Sequence, residues 1–229
     1  MRSQIKRLLG IAEPVSPEIA AYQRLKTKGF MPDRIIDVGA YEGSWTRLVR
    51  SVFDKVPVTM IEAQDGKRPI LDAVCREISD TSLVSALLGS VGGTSVTFYE
   101  METGSSTRPE NSNVARQERV MTTRTLDDVI DGSGTALFLK IDVQGSELDV
   151  LTAGQKTLAR CEVVQLETAL LPYNAGAPQM TQVLVQMEEW GFSPFDFAGF
   201  IRPNGVDLVQ TDVLFVRTNS TLRAKQFHF

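Results

Sequence analysis

The sequence predicts an α/β fold in which a largely parallel sheet is covered by helices on both faces. Three observations predict it. Short β-branched and apolar runs alternate with segments whose apolar residues recur at helical spacing. Four of those runs end in a carboxylate, at Asp37, Glu62, Asp142 and Glu167. In a parallel sheet such ends lie along one edge, which is where open α/β folds bind ligands. The last two runs, Phe192 to Phe197 and Val209 to Arg217, follow one another without a helix between them, so they are expected to pair antiparallel at the end of the sheet.

In chain order, Ser16-Pro17-Glu18 is a helix start, an N-cap followed by proline at the first helical position, with Ile19, Tyr22 and Leu25 on one face until Gly29. Arg34 to Val38 is the first strand. After two glycines four apart, Gly39 and Gly43, a helix runs from Glu42 to about Phe53 on Trp45, Leu48, Val49, Val52 and Phe53. Val56 to Glu62 is the second strand. A helix striped by Ile70, Leu71, Val74 and Ile78 leads to a third strand, Ser82 to Leu88. Thr94 to Glu100 and Arg119 to Arg124 alternate as a strand pair across Glu102 to Glu118, whose Gly, Ser, Thr, Asn and charge predict a mobile loop that binds or covers something. Leu126 to Ile130 is a short helix. Thr135 to Asp142 is nearly continuously apolar, as suits a strand covered on both faces, and opens through Gly145 into a helix at Leu148. Cys161 to Glu167 is the next strand, and Pro178 to Trp190 a helix closed by Gly191.

With 229 residues, 42% of them hydrophobic, the chain suits one α/β domain, here residues 31–229, preceded by an N-terminal helical segment, 1–30. A formal charge of −4 provides no basic field for nucleic acid and disfavours it as a partner. Cys75 and Cys161 stand in apolar surroundings without a CxxC or histidine partner, and read as buried thiols in a reducing, cytoplasmic setting. No apolar run approaches the roughly 20 residues of a membrane span. Met1 to Ile11 mixes basic and apolar residues; an N-terminal helix packed on the domain is expected, with weak membrane-surface contact as the sharper alternative.

The turn after the first strand narrows the ligand. Its glycines let the backbone approach a ligand, and the following helix presents free N–H groups. Dinucleotide sites carry G-x-G-x-x-G, whereas here Asp37 ends the strand and would repel a pyrophosphate. It suits a ligand bearing an ammonium group. The spacing Asp-x-Gly-x-x-x-Gly resembles the first motif of class I methyltransferases, whose donor is S-adenosylmethionine. Glu62 follows Gly43 by 19 residues, close to the separation at which an acidic side chain accepts from a ribose diol in βαβ nucleoside sites.

Leu139-Lys140-Ile141-Asp142-Val143-Gln144-Gly145-Ser146-Glu147-Leu148, preceded by Arg124-Thr125-Leu126-Asp127-Asp128 and followed by Val164-Gln165-Leu166-Glu167, resembles the FkbM family of S-adenosylmethionine-dependent methyltransferases. The likeness takes in Ile36 to Gly43, Ile61-Glu62-Ala63, Ser105-Ser106 and Thr211 to Val216. It implies a Rossmann-like class I methyltransferase fold, a seven-stranded mixed sheet with one antiparallel strand, and O-methylation of a hydroxyl on a sugar, glycan or polyketide-type small molecule. By position it puts Asp37, Gly39, Ala40, Tyr41 and Gly43 around the methionine part, Glu62 with Ala63 at the ribose, Ala86 and Leu87 at the adenine, and Asp142 facing the sulfonium or the acceptor.

A weakly acidic hydroxyl needs a general base. His228, the one histidine, stands next to the C-terminus, so Asp142 and Glu167 are the candidate catalytic residues, with Glu147 behind them as a helix-start carboxylate. Ser105 and Ser106, and Tyr173 and Asn174, are candidate acceptor contacts, although Ser and Asn are also common in turns. Carboxylates alone also suit a divalent cation, but no histidine or adjacent pair completes a set, so no metal is expected. Two other classes stay open at this point: an NAD(P)-linked oxidoreductase, weakened by the glycine spacing, and a non-catalytic nucleoside-binding protein.

Overall fold

The computed structural model describes residues 15–224. The Met1 to Ile11 segment and His228 lie outside the described residues. Seven strands form one mixed sheet in the order β3-β2-β1-β7-β8-β10-β9: β1 (Arg34–Val38), β2 (Val58–Glu62), β3 (Thr81–Ser85), β7 (Leu137–Ile141), β8 (Cys161–Ala169), β9 (Phe192–Ile201) and β10 (Gln210–Arg217). The strands from β3 to β8 are parallel, and β10 is antiparallel to both its neighbours. This is the expected seven-stranded mixed sheet. The central strands are buried along their whole length because both of their faces are covered.

Alternate strand residues feed two cores. Ile35, Met60, Phe138, Val163 and Leu214 pack under α1 (Pro17–Thr27), α2 (Ser44–Arg50) and α3 (Arg68–Glu77). Ile36, Ile61, Leu139, Val164 and Val213 pack under α4 (Leu126–Val129), α5 (Glu147–Thr152), α6 (Gln155–Leu158) and α7 (Met180–Glu189). Helix α1 starts as predicted, with Ser16 Oγ accepting from Ile19 N at 3.2 Å. It inserts Tyr22, whose ring stands edge-on to Trp45 and Phe138. Truncating the wholly buried Phe138 to alanine is expected to cost about 3–5 kcal/mol.

The structure departs from expectation in two places. The run Ser82 to Leu88 is two strands. Strand β2 stops at Glu62, so β3 has no partner beyond Ser85, and β4 (Leu87–Leu88) instead joins β6 (Gln117–Arg124) and β5 (Ser95–Glu100) in a separate three-stranded sheet. The excursion Glu102 to Glu118, read from composition as a mobile loop, is tied down along its length. Ser106 Oγ donates to Gln144 O at 2.8 Å, Arg108 pairs with Asp149 at 2.7 Å, and Asn111 N donates to Tyr173 O at 2.6 Å. Its polar side chains serve as fasteners to the sheet edge.

Candidate active site

A cavity of about 220 Å³ opens at the carboxyl ends of β1, β2 and β7. Its floor is the turn after β1. Gly39, at φ +76°, passes so close to the chain after β7 that a Cβ there would lie 1.9 Å from the Asp142 carbonyl oxygen. Only glycine allows this approach. Tyr41 follows at φ +49°, which aims its N–H at Glu62.

Glu62 closes the second strand and is buried. Its Oε2 accepts from Tyr41 N at 2.7 Å, and its Oε1 from Ala63 N at 2.9 Å and Gln64 N at 2.8 Å. Burial raises its pKa against the lowering effect of these three N–H groups. A carboxylate has about four acceptor sites, so Oε2 keeps one for a hydroxyl in the cavity. Beyond Glu62 the wall is apolar: Ala86, Leu87, Leu88 and Phe98. The excursion after β5 forms the cavity's roof, where Tyr41 Oη donates to Glu102 at 2.7 Å and Lys67 pairs with Glu102 at 2.7 Å and Glu42 at 3.0 Å.

Asp142 brings a further acidic group to the cavity, with Glu147, Glu167 and Asp212 outside its lining. Asp142, just past β7 and one-third exposed, lies 3.4 Å from Lys140 Nζ and accepts from Gln144 Nε2 at 2.9 Å. Lys140 is buried within an apolar strand, donates to Gly39 O at 3.2 Å, and is 3.4 Å from Asp37 on the neighbouring strand. Burial alone would lower its pKa, but Asp142, Asp37 and Asp212 hold it above the ordinary lysine range. The same Gln144 Nε2 reaches both oxygens of Glu167 at 2.9 Å. Burial, then Asp142, Glu147 and Asp212, push Glu167 well up. Glu147 accepts from Val143 N at 3.0 Å and Gly145 N at 3.1 Å, and burial raises it to about 7. Burial likewise raises Asp212, ahead of the effect of Asp142, to about 7.

Of the residues singled out from sequence, the cavity brings together Gly39, Ala40, Tyr41, Glu62, Ala63, Ala86, Leu87, Ser105, Ser106 and Asp142. Asp37 is wholly buried behind the wall, bonded by Thr46 Oγ1 at 2.7 Å. Gly43, at φ +74°, sits against Val74 at the start of α2, where a Cβ would come within 2.8 Å of that side chain. Glu167 and Tyr173 stand behind Gln144, and Asn174 donates to Gln144 O at 2.8 Å. The hydroxyls of Ser105 and Ser106 are engaged by backbone groups. Sequence reasoning did not assign roles to Lys140, Gln144 or Phe98. The signal for Lys140 was present, since a lysine inside an apolar strand needs buried anionic partners. Gln144 lies inside the family-like block but has no chemical signal of its own, and Phe98 carried none.

A family model described as the methyltransferase FkbM domain matches residues 37–194. Comparison with curated protein sequences found no match. Among solved structures, 1,6-didemethyltoxoflavin-N1-methyltransferase of Burkholderia thailandensis, bound to 1,6-didemethyltoxoflavin and S-adenosylhomocysteine, superposes with a TM-score of 0.51 at 9% identity, over 89% of this chain and 78% of that one. An rRNA methylase from Streptococcus thermophilus superposes at 0.50 and 13% identity, over 90% and 99%. Magnesium protoporphyrin IX methyltransferase of Synechocystis PCC 6803, with S-adenosylmethionine bound, gives 0.50 at 9%, over 88% and 77%. These likenesses establish a Rossmann-like class I methyltransferase fold. They span small-molecule and RNA methylases, so the fold leaves the acceptor open, nucleic acid included. Among the described residues, no helix is long and apolar enough to cross a membrane.

Proposed function

The chain belongs to the FkbM methyltransferase family, and from that premise we propose that it transfers the methyl group of S-adenosylmethionine to a hydroxyl of a small-molecule or glycan acceptor. The cavity fits that donor: Glu62 retains an acceptor site for a ribose hydroxyl, the wall of Ala86, Leu87, Leu88 and Phe98 suits an adenine, and the Gly39 to Tyr41 turn offers room for a methionine chain. When bound, the donor supplies a methyl group already activated by its sulfonium. The chain's own task is to hold an acceptor oxygen in line with it and remove its proton.

Asp142 is the observation that supports a hydroxyl acceptor. It is a carboxylate in the cavity lining, set between the glycine turn and the Ser105 to Thr107 stretch, and steadied by Lys140 and Gln144. A sugar or alkyl hydroxyl is weakly acidic and needs such a base within reach. Glu167 backs Asp142 through Gln144. Asp37 acts from behind, as a fixed countercharge to Lys140.

Two measurements test this. Calorimetric titration with S-adenosylhomocysteine should show micromolar binding that Glu62→Ala weakens by about 10–100-fold. Label from methyl-labelled S-adenosylmethionine should then appear as an ether on hydroxyl acceptors from a panel of glycans and small molecules. Labelling of RNA or of amines in their place would overturn the acceptor assignment, and absence of cofactor binding would overturn the reading as a whole.

A further inference from the structure

The hydrogens around Glu167 can be counted. Tyr173 Oη lies 3.0 Å from Glu167 Oε1 and 2.8 Å from Gln210 Oε1, and Gln210 Nε2 closes the triangle on Glu167 Oε2. A phenol has one hydrogen to donate. If Tyr173 gives it to Gln210, its contact with Glu167 needs a hydrogen from the carboxyl group. If it gives it to Glu167, two oxygens face each other at 2.8 Å with nothing between them. Reversing the Gln210 amide lets its Nε2 meet Tyr173, but then its carbonyl oxygen meets Glu167 Oε2, and that contact again needs a carboxyl proton. Both amide orientations therefore leave the ring one hydrogen short when Glu167 is ionised.

We propose that Glu167 is a neutral carboxylic acid in the working enzyme, donating its proton within this ring, to Tyr173 or, with the Gln210 amide reversed, to Gln210, and serving through Gln144 as a positioning residue for Asp142, the carboxylate that faces the acceptor. This rests on the assignment of Asp142 as base only for its kinetic consequence. The surroundings agree on every side. Asp142 faces Glu167 from the end of β7, Glu147 from α5, Asp212 from β10 and Tyr173 from the chain after β8. The nearby cation, Lys140, pairs with Asp37 and Asp142 instead. Burial and the three neighbouring carboxylates all favour the protonated form. With Glu167 neutral, Gln144 Nε2 joins one neutral and one charged carboxyl group, so Asp142 is held in place without a second negative charge beside it.

Infrared spectroscopy reads this proton directly and needs neither cofactor nor acceptor. In mildly alkaline buffer, where Glu147 and Asp212, both near 7, have ionised, the wild-type chain should keep a protonated-carboxyl C=O band that Glu167→Gln lacks. No such band, or one that persists in Glu167→Gln, overturns the proposal. Glutamine keeps the shape and neutrality of the acid and alanine does not, so the tenfold or greater loss of turnover expected in Glu167→Ala should be recovered in part by Glu167→Gln; a folded Glu167→Gln as slow as Glu167→Ala overturns the positioning role. Should Glu167→Gln fail to fold, Tyr173→Phe decides: in either amide orientation the acid loses a hydrogen-bond partner, so the band must shift to higher frequency, and an unmoved band overturns the ring. Full turnover by Asp142→Asn would strike the base assignment while leaving the band untouched, so the two failures are distinguishable.

Discussion

The two ends of the cavity are built differently. At the glycine-turn end, Glu62 is satisfied by three backbone N–H groups from residues within about twenty positions of it, and the wall is aliphatic and aromatic. At the other, Asp142 and Glu167 are held by the side chains of Lys140, Gln144, Tyr173 and Gln210, while Glu147 behind them accepts from two backbone N–H groups. Backbone donors hold Glu62 in one position, which suits recognition of a constant cofactor. Side-chain networks leave protonation adjustable, which suits proton removal.

Gly39→Ala strikes the seam joining the two ends. A methyl 1.9 Å from the Asp142 carbonyl at positive φ should cost on the order of 4 kcal/mol or more, read as a collapse in melting temperature. A variant as stable as wild type would show that the seam is loose. Asp142→Asn should lower turnover by about 10²–10⁴-fold while leaving S-adenosylhomocysteine affinity near wild type, since it removes a base and no cofactor anchor. Equal losses in both would merge the two ends into one.

Asp212 separates them by pH. Its carboxyl is raised to about 7 by burial when folded, so its contribution to stability is complete below its unfolded value and is lost as pH rises through 7. Asp212→Asn should therefore match wild type below about pH 4, gain on it as pH rises toward 7, and exceed it above neutrality by on the order of 4 kcal/mol, about three units at roughly 1.4 kcal/mol per unit. Chemical denaturation across that range checks it, and a constant difference at every pH would refute it. Glu62→Ala completes the comparison. It should weaken S-adenosylhomocysteine by about 10–100-fold, the value of a charge-assisted hydrogen bond and its orphaned donors, with the pH dependence of stability above neutrality unchanged.

Much of the glycine-turn end was legible because its signals are local. A strand, a left-handed turn and a helix N-terminus occupy consecutive residues, and Glu62 follows at the spacing of one βα unit. The same reading put Asp37 in the cavity because a strand-end acid beside a glycine turn points to a ligand. Its alternation with Ile35 instead turns it onto the face covered by α1 and α2, where it meets Lys140 across the sheet. The mobile-loop expectation for Glu102 to Glu118 failed for a related reason: composition records polarity, and the partners of Ser106 and Arg108 lie about 40 positions later.

The sequence by itself determined the alternation of strands and helices, the glycine positions where no side chain fits, and the acids at the strand ends, because each depends on neighbours in the chain or on a fixed period. Tertiary structure decided which acid faces the cavity, which is buried against a lysine, and which is held within reach of Tyr173 and Gln210. Those outcomes depend on strand order and register, and a carboxylate's chemistry is set by the groups that packing brings to within about 3 Å of it.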